Sequence, residues 1–189
     1  MSNPRVVVIH GFTASPSAHW FPWLKQTLGA EGVEVDVVEL PSPSEPVPAE
    51  WIAAARGAIG TPDEKTVVVG HSIGCFTVVR ALDETPGDWR LGGLVLVGGF
   101  GAPLEGGNPL LVPFFDAQPD LGALARRTAH RTMIYSDSDE VIPAAASLEL
   151  AAALDAETVE VPGAGHFTAA AGITELPVAA EAIRAALRG

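Results

Sequence analysis

The sequence predicts an α/β fold: a three-layer α/β/α sandwich around a mostly or fully parallel sheet of about six strands. Three observations carry this. Short, continuous apolar runs such as Val67-Val68-Val69 and Leu94-Val95-Leu96-Val97 recur along the chain. They lack the in/out alternation of a half-exposed strand, so they belong to a sheet covered on both faces. Helical stretches separate them, and right-handed crossovers then place helices on both sides of the sheet.

Each element has its own reason. Arg5 to His10 is a β-branched run and forms the first strand. A helix follows over His19 to Leu28, with Trp20, Trp23, Leu24 and Thr27 towards one face. Val33 to Leu40 alternates apolar with acidic residues, as a strand nearer the sheet edge does. Pro41 to Pro48 holds four prolines and is a loop. Pro48 then opens a helix through Trp51 to about Ile59, its ring pre-set for the first turn. Thr66 to Val69 is a buried strand, followed by a helix over Ile73 to Asp83. Leu94 to Val97 is the fourth strand, and Gly98 to Asp120 is a long segment rich in Gly, Pro and Phe. The rest reads as a short helix (Leu121 to Ala129), a strand (Thr132 to Tyr135) and a proline-led helix (Pro143 to Leu154). A last strand (Thr158 to Val161) and a last helix (Pro177 to Leu187) complete it.

Composition sets the bounds. At 189 residues, 1–189 is expected to be one domain, with 48% hydrophobic and 18% charged residues supporting a globular core. A net charge of −12 argues against nucleic acid and anionic membranes as partners. Leu91 to Leu104 is the longest uncharged apolar stretch, and glycines and a proline interrupt it, so no membrane span is expected. Only Val6 to Ile9 is apolar ahead of His10, so no signal peptide is expected and a cytoplasmic location is the default. The single cysteine, Cys75, excludes an internal disulfide and a cysteine-based metal cluster.

In a doubly wound sheet the ligand site lies beyond the carboxyl ends of the strands. The third such end reads Gly70-His71-Ser72-Ile73-Gly74, which matches G-x-S-x-G. A serine at a tight strand-to-helix turn projects its Oγ from the top of the sheet. The helix behind it aims free N–H groups at that point, where an oxyanion would form. A hydroxyl needs a base to become a nucleophile, and the base needs a carboxylate to hold its tautomer. Ser136-Asp137-Ser138-Asp139-Glu140 follows the fifth strand and Gly163-Ala164-Gly165-His166-Phe167 the sixth. Ser72, Asp139 and His166 thus occur in nucleophile, acid, base order, each at a strand end. Asp137 and Glu140 compete for the acid's role; the spacing to the Ile142-Pro143 helix start favours Asp139.

These motifs, with His10-Gly11, His19-Trp20-Phe21-Pro22-Trp23-Leu24, Leu40-Pro41, Trp51 and Asp139-Glu140-Val141-Ile142-Pro143, run through most of the chain. Together they resemble the small α/β-hydrolases of the retinoblastoma-binding protein 9 and YdeN type. After the first strand the chain reads His10-Gly11-Phe12, closer to the general esterase pattern than to the Gly-Asn or Gly-His-Gly of many members. The resemblance implies a compact α/β-hydrolase fold, with Ser72 as nucleophile, Asp139 as orienting acid and His166 as base. The expected reaction is acyl transfer to water on small ester or related acyl substrates, with the N–H groups of Ile73 and Phe12 holding the oxyanion. It needs no metal or organic cofactor. The Gly98–Asp120 segment is too short for a large lid, and is expected to form a small apolar wall or minimal cap. Phe12, Phe100, Phe114 and Phe167 are the candidate substrate contacts. Two other functions use the same residues differently: a protein-binding module with a vestigial site, or an acyltransferase or perhydrolase with another acceptor. A protein partner or homo-oligomer is compatible with either.

Overall fold

The structure, a computed structural model, describes residues 3–189. Six strands form one sheet: β1 (Arg5–Ile9), β2 (Glu34–Val38), β3 (Thr66–His71), β4 (Leu91–Val97), β5 (Thr128–Tyr135) and β6 (Glu157–Glu160). Their order is β2-β1-β3-β4-β5-β6, and every pairing is parallel. Six helices cover it: α1 (Phe21–Gly29), α2 (Pro48–Ile59), α3 (Ile73–Asp83), α4 (Leu121–Arg127), α5 (Ala144–Ala153) and α6 (Pro177–Arg188). No helix of the described residues is long and apolar enough to cross a membrane.

The continuous apolar runs divide between two cores, because successive strand side chains point to opposite faces. Val7, Ile9, Val68, Leu94, Leu96 and Met133 join residues of α2, α3, α4 and α5 on one face. Val6, Val8, Val67, Val69, Val95 and Ile134 join residues of α1 and α6 on the other. The acidic residues Glu34 and Asp36 are exposed on the edge strand β2. Chain direction across the sheet reverses between β1 and β3, so the loops after these two strands part there and leave a crevice.

Several boundaries differ from the sequence expectation. β4 begins at Leu91, because Gly92 and Gly93 fill places where the Glu64 carbonyl and the Ala186 methyl leave no room for a side chain. β5 begins at Thr128, where polar residues continue straight on from α4. The first helix begins at Phe21 and not at His19, because His19 takes a left-handed backbone (φ 54°) that no right-handed helix admits.

Two glycines fix how α3 meets the sheet. A Cβ on Gly74 would lie 2.4 Å from the Ile9 carbonyl oxygen and 2.5 Å from that of His10. A Cβ on Gly70 would lie 2.6 Å from Cys75 Cα. Both obstacles are backbone and cannot swing aside. Gly74→Ala is therefore expected to cost about 3 kcal/mol in urea unfolding. Gly57→Ala is the control: it is interior to α2 with open space around it, and should stabilise by about 0.5–1 kcal/mol. Equal effects at both positions would contradict the packing described here.

Candidate active site

Ser72 sits between β3 and α3 with φ 57° and ψ −129°, a conformation that side-chain-bearing residues avoid. Its N–H donates to the Val97 carbonyl at 2.9 Å, which ties the turn to β4. The side chain lies beside Gly11 of the β1 loop, in the crevice where the strand order reverses.

Ser72 Oγ lies 3.0 Å from His166 Nε2, and His166 Nδ1 lies 2.8 Å from Asp139 Oδ2. The other Asp139 oxygen, Oδ1, accepts the N–H groups of Val141 and Ile142, both at 2.8 Å. An ionised carboxylate only accepts, so the His166 proton is on Nδ1 and the Nε2 lone pair faces the serine hydroxyl. The Asp139 side chain is 2% exposed and that of His166 13%, so bulk water barely screens the pair.

The loops carrying these two residues are joined by side-chain-to-backbone hydrogen bonds. Asp137 Oδ1 accepts from Gly163 N–H at 2.8 Å, Ser136 Oγ from Ala164 N–H at 3.1 Å, and Ser138 Oγ from Gly165 N–H at 3.2 Å. Three neighbouring side chains thus hold the three residues that precede His166. Asp137 is a clasp between loops, Glu140 is exposed, and of the three candidate acids Asp139 meets the histidine.

The N–H groups of Ile73 and Phe12 are both free of any carbonyl or side-chain acceptor among the described residues. Ile73 opens α3 directly after Ser72, so its amide belongs to the positive helix end.

A cavity of about 410 Å³ opens over Ser72 and His166. Phe12, Phe100, Leu104, Leu111, Val112 and Phe115 supply most of its apolar wall. Val141 and Ile142 extend that wall from the Asp139 loop, and Thr13, His19, Asn108 and Thr168 bring polar atoms to the lining.

The structure therefore brings Phe12 and Phe100 to the cavity but corrects Phe114 and Phe167. Phe114 is fully buried against Trp51, ring centroids 5.6 Å apart, on the far side of its short 3-10 helix (Pro109–Phe115). Its neighbour Phe115 faces the cavity, packed on Phe76 and Phe100. Phe167 turns away from His166 at φ 54° into the core beneath α6. Leu111 and Phe115 belong to the segment expected to form the apolar wall, whereas His19, Val112, Val141, Ile142 and Thr168 are lining residues that sequence reading missed. Apart from the left-handed backbone at His19, nothing local distinguishes them.

Three further histidines surround the site. His10 is buried beneath Trp51; its Nε2 accepts the Leu40 N–H at 3.3 Å, so Nδ1–H donates to the Gly11 carbonyl at 2.9 Å. His71 is buried between Trp20, Phe21, His19 and His166. Its Nε2–H donates to the His166 carbonyl at 3.0 Å, while its Nδ1 has no partner among the described residues. Burial lowers the pKa values of His10, His19 and His71, that of His71 well below the ordinary 6.5, with nearby His166 adding to the effect on His19 and His71. Burial likewise pushes the Cys75 thiol up, which keeps it protonated and inert.

These shifts set a pH dependence of stability. Below pH 6.5 the unfolded chain takes up protons on these histidines that the folded chain refuses, so stability falls as pH drops; above it neither state is protonated and this contribution is constant. One such group gives a slope of about 1.4 kcal/mol per pH unit. Urea unfolding at pH 5, 6, 7 and 8 should show the loss below 6.5, and His71→Asn should make it shallower. A wild-type curve flat from pH 8 to 5 would contradict this.

A serine at a strand–helix turn, a histidine held by a buried carboxylate and a six-stranded parallel sheet define the class: the chain belongs to the serine hydrolase family, whose profile matches residues 6–185. Particular relatives agree with this. YdeN of Bacillus subtilis (strain 168), named as a hydrolase, is 36% identical over 174 residues, 92% of this chain and 91% of that protein. The crystal structure of the ydeN gene product from B. subtilis superposes with a TM-score of 0.93, covering 99% of this chain and 100% of that one at 33% identity. The serine hydrolase RBBP9 of Rattus norvegicus is 23% identical over 171 residues, 88% of this chain and 89% of that protein.

Proposed function

We propose that this serine hydrolase is a carboxylic ester hydrolase with Ser72 as nucleophile, His166 as base and Asp139 as orienting acid. The observation that carries the reading is the unbroken chain of hydrogen bonds from Ser72 Oγ through the His166 ring to Asp139, opening into an apolar cavity. Ser72 Oγ attacks the ester carbonyl carbon while His166 Nε2 takes its proton. The carbonyl π electrons move onto oxygen, and the oxyanion is held by the N–H groups of Ile73 and Phe12. One such donor is worth about a hundred- to a thousandfold in rate. The oxyanion collapses, the C–O bond to the alcohol breaks, and His166 returns its proton to the departing oxygen. Water then attacks the acyl-enzyme with His166 again as base, and the acid and Ser72 are released. Apart from substrate and water, these steps use side chains and amides of this chain.

The wall formed by Phe12, Phe100, Leu104, Leu111 and Phe115 favours an apolar acyl group of short to medium length. The test is hydrolysis of p-nitrophenyl esters of rising chain length. Activity should peak at short to medium alkanoates, and a peak on a charged acyl group would contradict the reading. Phe115→Ala should move the optimum to longer chains. Phe114→Ala should leave the optimum in place and cost about 3–5 kcal/mol of stability, because its ring fills the core and not the cavity.

A further inference from the structure

The apolar wall and the three reacting side chains leave His19, on another part of the same cavity, without a role. Its position is highly determined. A left-handed backbone (φ 54°) separates it from α1, and histidine in that conformation costs free energy that surrounding contacts must hold. Nδ1 accepts the N–H of Ala169 at 3.1 Å. The ring stands edge-on to those of His71 and Phe21, with centroids 5.4 Å and 5.7 Å away. Because Nδ1 accepts, the neutral ring carries its proton on Nε2. Burial, with His166 and His10 nearby, lowers the pKa and keeps the ring neutral at ordinary pH. Nε2 has no protein partner among the described residues. The result is a fixed, uncharged N–H donor on the cavity wall.

Its place in the cavity indicates what it meets. Ala169, which pins the ring, lies just past His166 on the same loop, and Thr168 beside it lines the cavity too. His166 must hand its proton to the departing alcohol, so the alcohol leaves on the His166 side. The segment that supplies Phe100, Leu104, Leu111 and Phe115 makes the apolar wall instead. We infer that His19 is a specificity-determining residue whose Nε2–H donates to an oxygen of the leaving alcohol. The preferred substrates are then esters of short- to medium-chain acids with oxygen-bearing alcohols, ahead of esters with plain alkyl alcohols. This rests on the ester-hydrolase reading given above.

The test compares two esters of one acid, glycerol monobutyrate and n-butyl butyrate, on wild type and two variants. In His19→Asn the amide oxygen takes the place of Nδ1 towards Ala169 and the residue tolerates the left-handed backbone, but the side chain is too short to put a donor where Nε2 stood. In His19→Gln an amide nitrogen reaches near the Nε2 position. Wild type should prefer the glycerol ester. His19→Asn should lower kcat/KM for the glycerol ester about tenfold and leave the butyl ester within about twofold, as loss of one hydrogen bond predicts. His19→Gln should recover part of that loss, which a merely structural role would not produce. An unchanged ratio between the two esters in His19→Asn, or an equal fall on both, overturns the role of His19 while leaving ester hydrolysis standing. Absence of hydrolysis of either ester by wild type, together with no labelling of Ser72 by a fluorophosphonate, overturns the ester-hydrolase reading and this inference with it.

Discussion

Ser72→Ala is expected to lower kcat/KM for p-nitrophenyl butyrate by about 10⁴- to 10⁶-fold while leaving the fold intact. The size of the loss follows from what the oxygen does. In the proposed mechanism it forms the covalent bond, and the nearby thiol of Cys75 does not replace it, being fully buried and held protonated. The fold survives because the hydroxyl's hydrogen bond is to His166 alone, whereas the turn is tied to β4 by the backbone N–H of residue 72, which alanine keeps. Alanine also meets the positive φ at the same cost as serine. The melting temperature should therefore stay within a few degrees. His166→Ala should give a loss of the same order, and the double variant should be little worse than either single one, since the two act as a unit. Additive losses would contradict a shared step.

Asp139→Asn should cost about 10³- to 10⁴-fold. The amide oxygen still accepts from Val141 and Ile142, so the loop keeps its shape. The amide NH₂ then faces His166 Nδ1 as a donor, where the carboxylate was an acceptor. The histidine proton is driven to Nε2, towards Ser72, and the ring can no longer accept the serine proton. Asp137→Asn keeps an acceptor oxygen for Gly163 N–H and should be near wild type. The pair, assayed side by side on p-nitrophenyl butyrate, separates the two acids. Equal losses would mean that the loop as a whole matters more than the tautomer.

That pair also shows how far the sequence could be read. G-x-S-x-G and the Gly-His-Phe segment are legible because the chemistry and the tight turns demand those residue types within a few positions of each other. Asp137 and Asp139 are two residues apart in one loop, and both accept backbone N–H groups; only the fold determines which one meets His166. Strand centres were visible as apolar runs. The start of β5 was not, because Thr128, His130 and Arg131 are strand residues by virtue of β4 beside them and carry no apolar signal. Phe114 and Phe115 look equivalent in sequence, yet a 3-10 turn sends one into the core and the other to the cavity. His19 was hidden inside an apparent helix whose start it in fact delays.

The most direct measurement is fluorophosphonate labelling of the folded wild-type protein at neutral pH, followed by intact mass and peptide mapping, with Ser72→Ala and Asp139→Asn alongside. An activated serine predicts one adduct, on the peptide containing Ser72, absent from Ser72→Ala and formed far more slowly in Asp139→Asn. An unlabelled but folded wild-type protein, or an adduct that persists in Ser72→Ala, would contradict the assignment of Ser72 as the nucleophile.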